Sequence, residues 1–298
     1  MEHGSVLAAL QDFTEFVKPG EPLAPYTFLK IGGPAEALVQ PRTVAELCAV
    51  VQRCCAAKIP LRVLGGGVNL LVKDEGVRGA VLRLKEPVFT QVAVEGRRVR
   101  AGCGAALSAL ISQAARHSLA GLETLVGIPG TVGGALRQSA GDRSGEIGQC
   151  LRRIEVVDSA GQVQTRDRED VAFTYRSSPL EDPVLLSAEF EFDSDAPDAV
   201  VKRMRKAWIQ RKATQPFSFQ AACRVFKNPR GLSAAALIAQ AGLASTKVGG
   251  AEVSERDANY IIAHPGAVSR DVLRLIDLVR SRVLERFNTE LELEITVW

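Results

Sequence analysis

The 298-residue chain contains no G-x-x-x-x-G-K-[ST] segment, so a kinase- or ATPase-type phosphate loop is unsupported. Gly65-Gly66-Gly67-Val68-Asn69-Leu70 lacks the third glycine of G-x-G-x-x-G, which removes the common dinucleotide fingerprint. No apolar run is long enough to cross a bilayer, where about eighteen consecutive apolar residues would be needed. The first residues, MEHGSVLAALQDF, lack a basic stretch followed by a long apolar core and do not read as a secretory signal. None of the six cysteines, Cys48, Cys54, Cys55, Cys103, Cys150 and Cys223, forms a C-x-x-C pair. That usage fits a reducing cytoplasm. His3, His117 and His264 have no metal-ligand spacing, so no metal site is expected. A net charge of +3 is too mild to argue for a nucleic-acid partner. The basic cluster at 202–212 reads as a solvated helix face, with a phosphate-bearing substrate as the alternative.

What the chain does have is glycine, concentrated in LGGGVNLLVKDEG at 64–76 and GIPGTVGGA at 127–135. Glycine removes the side chain that would separate backbone N–H groups from a ligand. Successive N–H groups in such a turn form a hollow suited to a diphosphate. Each loop is read either as such a cradle or as an ordinary tight turn. Two cradles together would hold a dinucleotide-sized ligand.

Thr43 and Glu46 form a capping box before a helix reaching about residue 58. In that helix Cys54 and Cys55 are read as small core residues. Pro60 ends it, and a short strand at 61–64 leads into the first glycine loop. Further strands are expected at 79–84 and 97–101, and a helix at 105–117. The second glycine loop is also expected to follow a strand. A hairpin is expected across 151–166, and a strand at 183–192. The segment DSDAPD at 193–198 reads as a linker. Helices follow at 199–215, 233–241 and 269–287, the last capped by Ser269, and a final strand at 290–298.

Six ordered segments carry a family resemblance: LGGGVNLLV, GLETLVGIPGTVGGA, FTYRSS, FKNP, GGAEVS and LELEI. Over about residues 25–297 the chain resembles the MurB flavoprotein reductases, in the shorter subtype. The resemblance implies an α+β architecture: a two-subdomain FAD-binding fold of the PCMH/vanillyl-alcohol-oxidase type, then a C-terminal α+β substrate domain. The implied division is an N-terminal segment at 1–24, a FAD domain at 25–194 (subdomains about 25–84 and 85–194) and a substrate domain at 199–298. FAD is the implied cofactor and NADPH the hydride donor. The implied substrate is the enolpyruvyl ether of UDP-N-acetylglucosamine, reduced to UDP-N-acetylmuramate for peptidoglycan by a cytoplasmic monomer. No nucleic acid or membrane is implied.

The chemistry asks for a cation or hydrogen-bond donor where negative charge develops beside the substrate carboxylate, and for an acid to protonate that carbon. Arg176 matches the family arginine that stabilises the charge, and Tyr175 beside it is expected to contact substrate. Glu294 matches the family glutamate of the L-E-x-E-[IV] segment. Strand alternation alone would expose Glu290, Glu292 and Glu294 alike, so only the resemblance singles it out. Lys227 and Asn228 of FKNP match residues near the substrate diphosphate or the nicotinamide path. Gly65, Gly66, Gly67, Asn69, Gly127, Ile128, Gly130, Thr131, Gly133 and Gly134 are the positions expected around the flavin. The Asn69 amide would serve either phosphate or the loop itself.

The chain departs from the family pattern at the proton donor. The family places a serine, or a cysteine, two residues before the Phe of FKNP, usually after a glycine. In register, those two positions hold Arg224 and Cys223. An arginine retains its proton to a pKa above about 12 and is a poor donor. The Cys223 thiol, with an ordinary pKa near 8.5, donates only if the loop shifts by one residue; otherwise it is a small buried residue. Ser139 and Asp257 stand where the family has asparagine and histidine, and Val68 where it has serine. Three activities accommodate these departures: the MurB reduction, a flavin-linked oxidation of another sugar or alcohol, and flavin or UDP-sugar binding without turnover.

Overall fold

The computed structural model describes residues 4–142, 145–216 and 221–298; His3 lies outside them. The chain groups into two compact units. One comprises the residues up to Glu21 with Ala35–Gly66 and Arg78–Gln210; the other comprises Pro22–Pro34, Gly67–Val77 and Arg211–Trp298.

The first unit holds two sheets. The smaller runs in the order Val17–Pro22, Pro34–Val39, Val77–Leu82, Leu61–Val63, the last two parallel with Leu61 opposite Ala80. The helix Val44–Ala56 buries Leu47, Val50, Val51 and Cys54, and Cys55 is half-buried at the edge of the same core. Each fully buried aliphatic contributes roughly 1.5–3 kcal/mol. Thr43 caps this helix, its hydroxyl accepting from Glu46 N at 3.1 Å. The expected capping box is only half made. Glu46 Oε2 accepts instead from Arg42 N at 2.6 Å, where the Arg42 guanidinium also binds it and holds its carboxyl below the usual range.

The larger sheet is antiparallel, in the order Val163–Asp167, Leu151–Val157, Val184–Glu191, Arg98–Gly102, Val92–Glu95. Ile154 faces Ala188, which in turn faces Ala101. The helix Leu107–Arg116 adds Leu107, Leu110, Ile111 and Ala114 to the core of this sheet.

The second unit has an antiparallel sheet in the order Ala222–Arg224, Tyr260–Ala263, Ala251–Val253, Lys247–Val248. The helix Ser269–Phe287 buries Val272, Leu275, Ile276, Val279 and Val283, in one core with Cys223, Val225, Phe226 and Ile261.

Four sequence expectations are corrected. The segment at 193–198 is not a linker: Asp193–Ser194 pairs with Leu119–Ala120, and Pro197 opens the helix Pro197–Thr214, a position where its missing N–H costs nothing. Most of that helix is solvated. The second glycine loop follows a 3-10 turn, Glu123–Leu125, rather than a strand. Ser269 is the first helical residue, not the cap; Asp74 does the capping, accepting from Ser269 N at 3.1 Å and from its hydroxyl at 2.8 Å. The final strand is reduced to Thr296–Val297, parallel to Leu70–Leu71. Among the described residues no helix is long and apolar enough to cross a membrane.

Candidate active site

In the first unit the two glycine loops meet. Leu61–Val63 delivers Gly65 directly against Thr131, where a Cβ on Gly65 would stand 2.6 Å from Thr131 Oγ1. Thr131 begins the short helix Val132–Arg137, accepting from Gly134 N at 3.2 Å. Gly133 N donates to Cys103 O at 2.8 Å, and a Cβ on Gly133 would press on Cys103 Cβ at 3.0 Å. Gly127 and Gly130 take φ of +83° and +116°, conformations that side-chain-bearing residues avoid. Ile128 packs against the core of the larger sheet. Gly66, Gly127 and Gly134 are exposed. Two glycine-rich loops in mutual contact fit the cradle an FAD diphosphate requires.

Tyr175 and Arg176 occupy a tight turn closed by Thr174 N to Ser177 O and Ser177 N to Thr174 O, each 3.0 Å. Arg176 has φ +56°, a left-handed conformation that costs a non-glycine residue about 1 kcal/mol. The turn therefore holds a strained arginine with its guanidinium 5.7 Å from the centre of the exposed Tyr175 ring. Ser139 is also left-handed, at φ +44°; its buried hydroxyl donates to Glu146 Oε2 at 3.2 Å.

In the second unit the C-terminal segment runs beside FKNP. Lys227 N donates to Glu292 O at 2.9 Å and Glu294 N to Val225 O at 2.8 Å. Asn69 Nδ2 donates to Glu294 O at 2.8 Å, so its amide anchors this segment. Gly67, at φ +61°, is required by its own turn, because a Cβ there would strike Tyr26 O at 2.1 Å. Glu294 breaks the alternation expected of it: its side chain is only 9% exposed, and Arg224 Nε lies 3.3 Å from its Oε2. That contact is one of opposed charge, without the alignment of a hydrogen bond. Arg224 Nη2 also approaches Asn228 Oδ1 at 3.5 Å, and the same oxygen accepts from Ala234 N at 3.0 Å. Lys227 Nζ is 3.6 Å from Glu292 Oε2.

Cys223 is not placed to donate a proton. Period-two alternation turns it into the core while Arg224 faces the other way. At 1% exposure its thiol is pushed up to about 12 by burial. Asp257 closes a turn: its Oδ1 accepts from Asn259 N at 2.9 Å, and its carbonyl accepts from Tyr260 N at 2.9 Å. Sequence reasoning missed Asn259 and Tyr260. Asn259 is buried, accepting from Phe226 N at 2.9 Å and donating to Phe226 O at 2.7 Å. Tyr260 stands directly opposite Arg224. The only signal for either was their position just after Asp257, in a segment whose pairing partner the sequence does not name.

Residues 35–166 match the model of an FAD binding domain, and 215–298 that of the UDP-N-acetylenolpyruvoylglucosamine reductase C-terminal domain. The chain is 41% identical over 284 residues to UDP-N-acetylenolpyruvoylglucosamine reductase 2 of Symbiobacterium thermophilum, covering 95% of this chain and 92% of that protein. It is 39% identical to the reductase of Moorella thermoacetica, with 95% and 93% covered. The crystal structure of MurB from Thermus caldophilus superposes with a TM-score of 0.80 at 36% identity, covering 95% and 98%. The glucose dehydrogenase Phl p 4.0202, at 16% identity and a TM-score of 0.51, shares the fold alone. With an FAD-binding domain followed by this C-terminal domain, the chain belongs to the UDP-N-acetylenolpyruvoylglucosamine reductase (MurB) family.

Proposed function

We propose that this protein is an FAD-dependent UDP-N-acetylmuramate dehydrogenase. It reduces UDP-N-acetylenolpyruvoylglucosamine with NADPH in peptidoglycan synthesis, as a monomer in the cytoplasm. The observation that carries the reading is near-full-length similarity to proteins of that name. The meeting of the glycine loops at Gly65 and Thr131 supports it. When bound, FAD supplies hydride transfer between NADPH and the enolpyruvyl double bond. Gly65, Gly66, Gly127, Gly130, Thr131 and Gly134 line its diphosphate, and Gly67, Asn69, Ile128 and Gly133 hold the surrounding loops in shape. Arg176 stabilises the charge that develops beside the substrate carboxylate. Lys227 and Asn228 meet the substrate diphosphate, Tyr175 packs against the substrate, and Glu294 holds Arg224 in the place where the family's donor stands. The boundaries expected from sequence, 25–194 and 199–298, remain part of this proposal.

The test is anaerobic stopped-flow on the flavin-loaded protein. It is reduced with NADPH, mixed with UDP-N-acetylenolpyruvoylglucosamine and followed at the flavin band near about 450 nm. Rapid, substrate-dependent reoxidation is expected. Reduction without it would move the protein to another acceptor, and failure to bind or reduce flavin would mark a binding protein without turnover.

A further inference from the structure

We propose that Tyr260 is the acid that protonates the substrate carbon in this chain. The proposal rests on the reductase reading above. Arg224 and Tyr260 are directly opposed in the antiparallel pair of Ala222–Arg224 with Tyr260–Ala263. Opposed residues hold their Cβ atoms roughly 4.5–5.5 Å apart. Their neighbours in register, Cys223 and Ile261, are buried at 1% and 2%, so alternation turns Arg224 and Tyr260 together to the other face of the sheet.

This register is fixed. Val225 N donates to Asn259 O at 2.9 Å, and the Asn259 side chain binds both the N–H and the carbonyl of Phe226. Glu294 is tied to the same place through its N–H to Val225 O, and its carboxylate contacts Arg224. A phenol, a guanidinium and a carboxylate therefore share one face of the second unit.

The chemistry separates their roles. A guanidinium does not surrender its proton in a protein, and the Cys223 thiol is on the core side. The Glu294 carboxylate is turned to the Arg224 cation, whereas a phenol, with an ordinary pKa near 10, carries its proton at neutral pH and can pass it to a more basic carbon. Burial pushes Tyr260 up to about 12, opposed by the cations Arg224 and Arg211 and reinforced by the anions Asp257 and Glu294. The hydroxyl thus stays protonated through neutral pH, as a donor must, and the phenolate left by transfer lies beside Arg224. In the step, the Tyr260 O–H bond breaks with its electron pair kept on oxygen. A C–H bond forms at the carbon that carries the negative charge after hydride addition, and water then restores the phenol. The hydride comes from NADPH and the proton from Tyr260, which completes the two-electron reduction.

The experiment compares flavin-loaded wild type and Y260F, a change that keeps the ring and its packing. Reduction by NADPH and substrate affinity are expected to be unchanged. Substrate-dependent reoxidation should slow by about 100-fold or more, the usual scale for a lost general acid. A second readout does not depend on turnover. Labelling the three tyrosines with 3-fluorotyrosine gives fluorine resonances, and the one missing from Y260F should shift when UDP-N-acetylenolpyruvoylglucosamine is added to the oxidised protein. Reoxidation of Y260F at the wild-type rate, or an unmoved resonance, overturns the assignment and leaves the reductase reading intact. Absence of substrate-dependent reoxidation in the wild type overturns both.

Discussion

Gly65 and Thr131 touch so closely that a methyl group on the glycine would lie 2.6 Å from the threonine hydroxyl oxygen. The two loops can share this line of contact only because one of them lacks a side chain. Gly65→Ala is therefore expected to force the loops apart, at about 1–3 kcal/mol for overpacking, and to release FAD during gel filtration. Thr131→Ala removes the cap hydroxyl at about 1 kcal/mol, but it also clears the space. The double variant should retain more flavin than G65A alone, a non-additivity expected of residues in contact.

Arg176 spends backbone strain to stand in a tight turn. If its charge stabilises the developing anion, Arg176→Ala should lower turnover by about 10²–10³, the range for losing one such group, with flavin content unchanged. Normal turnover in that variant would remove Arg176 from the mechanism.

Asp271 accepts from Gly250 N at 3.0 Å and from Val268 N at 3.3 Å, and these backbone N–H groups hold its carboxyl below the usual range. A depressed folded-state pKa contributes stability above the unfolded value, lost as pH falls through the folded one. Asp271→Asn should accordingly lower Tm at neutral pH. The gap from wild type should narrow in acid, as a series of melting curves from pH 7 downward would record.

Much of the fold is legible in the sequence because it rests on local patterns. The helices Val44–Ala56, Leu107–Arg116 and Ser269–Phe287 follow from apolar spacing and, at Thr43, from a cap. Long-range pairing is what the sequence hides. The stretches Pro22–Pro34 and Gly67–Val77 group with the C-terminal unit through contacts such as Leu70–Leu71 with Thr296–Val297, more than two hundred residues away. The glycine loops are visible from composition, but not their meeting at Gly65 and Thr131. Glu294 fails the alternation argument because residues 290–295 are not a regular strand: Phe226 and Leu293 pair there as an isolated bridge. Tyr260 is silent in the sequence, since its relation to Arg224 exists only through register.

The Arg224–Glu294 contact gives the last prediction. With side chains 23% and 9% exposed, both groups have lost much of their hydration, and each offsets the other's desolvation. Removing one partner takes this contact from the other while its desolvation remains, a loss of about 3–5 kcal/mol at most, the figure for breaking a fully buried pair. Arg224→Met should thus destabilise markedly, and Glu294→Gln likewise. The double variant should lose less than the sum, because the contact is lost only once. Urea unfolding of the four proteins completes the cycle, with an expected coupling of about 1–3 kcal/mol. A coupling near zero would mean that the two groups are solvated independently, and that Glu294 does not hold the Arg224 side chain in place.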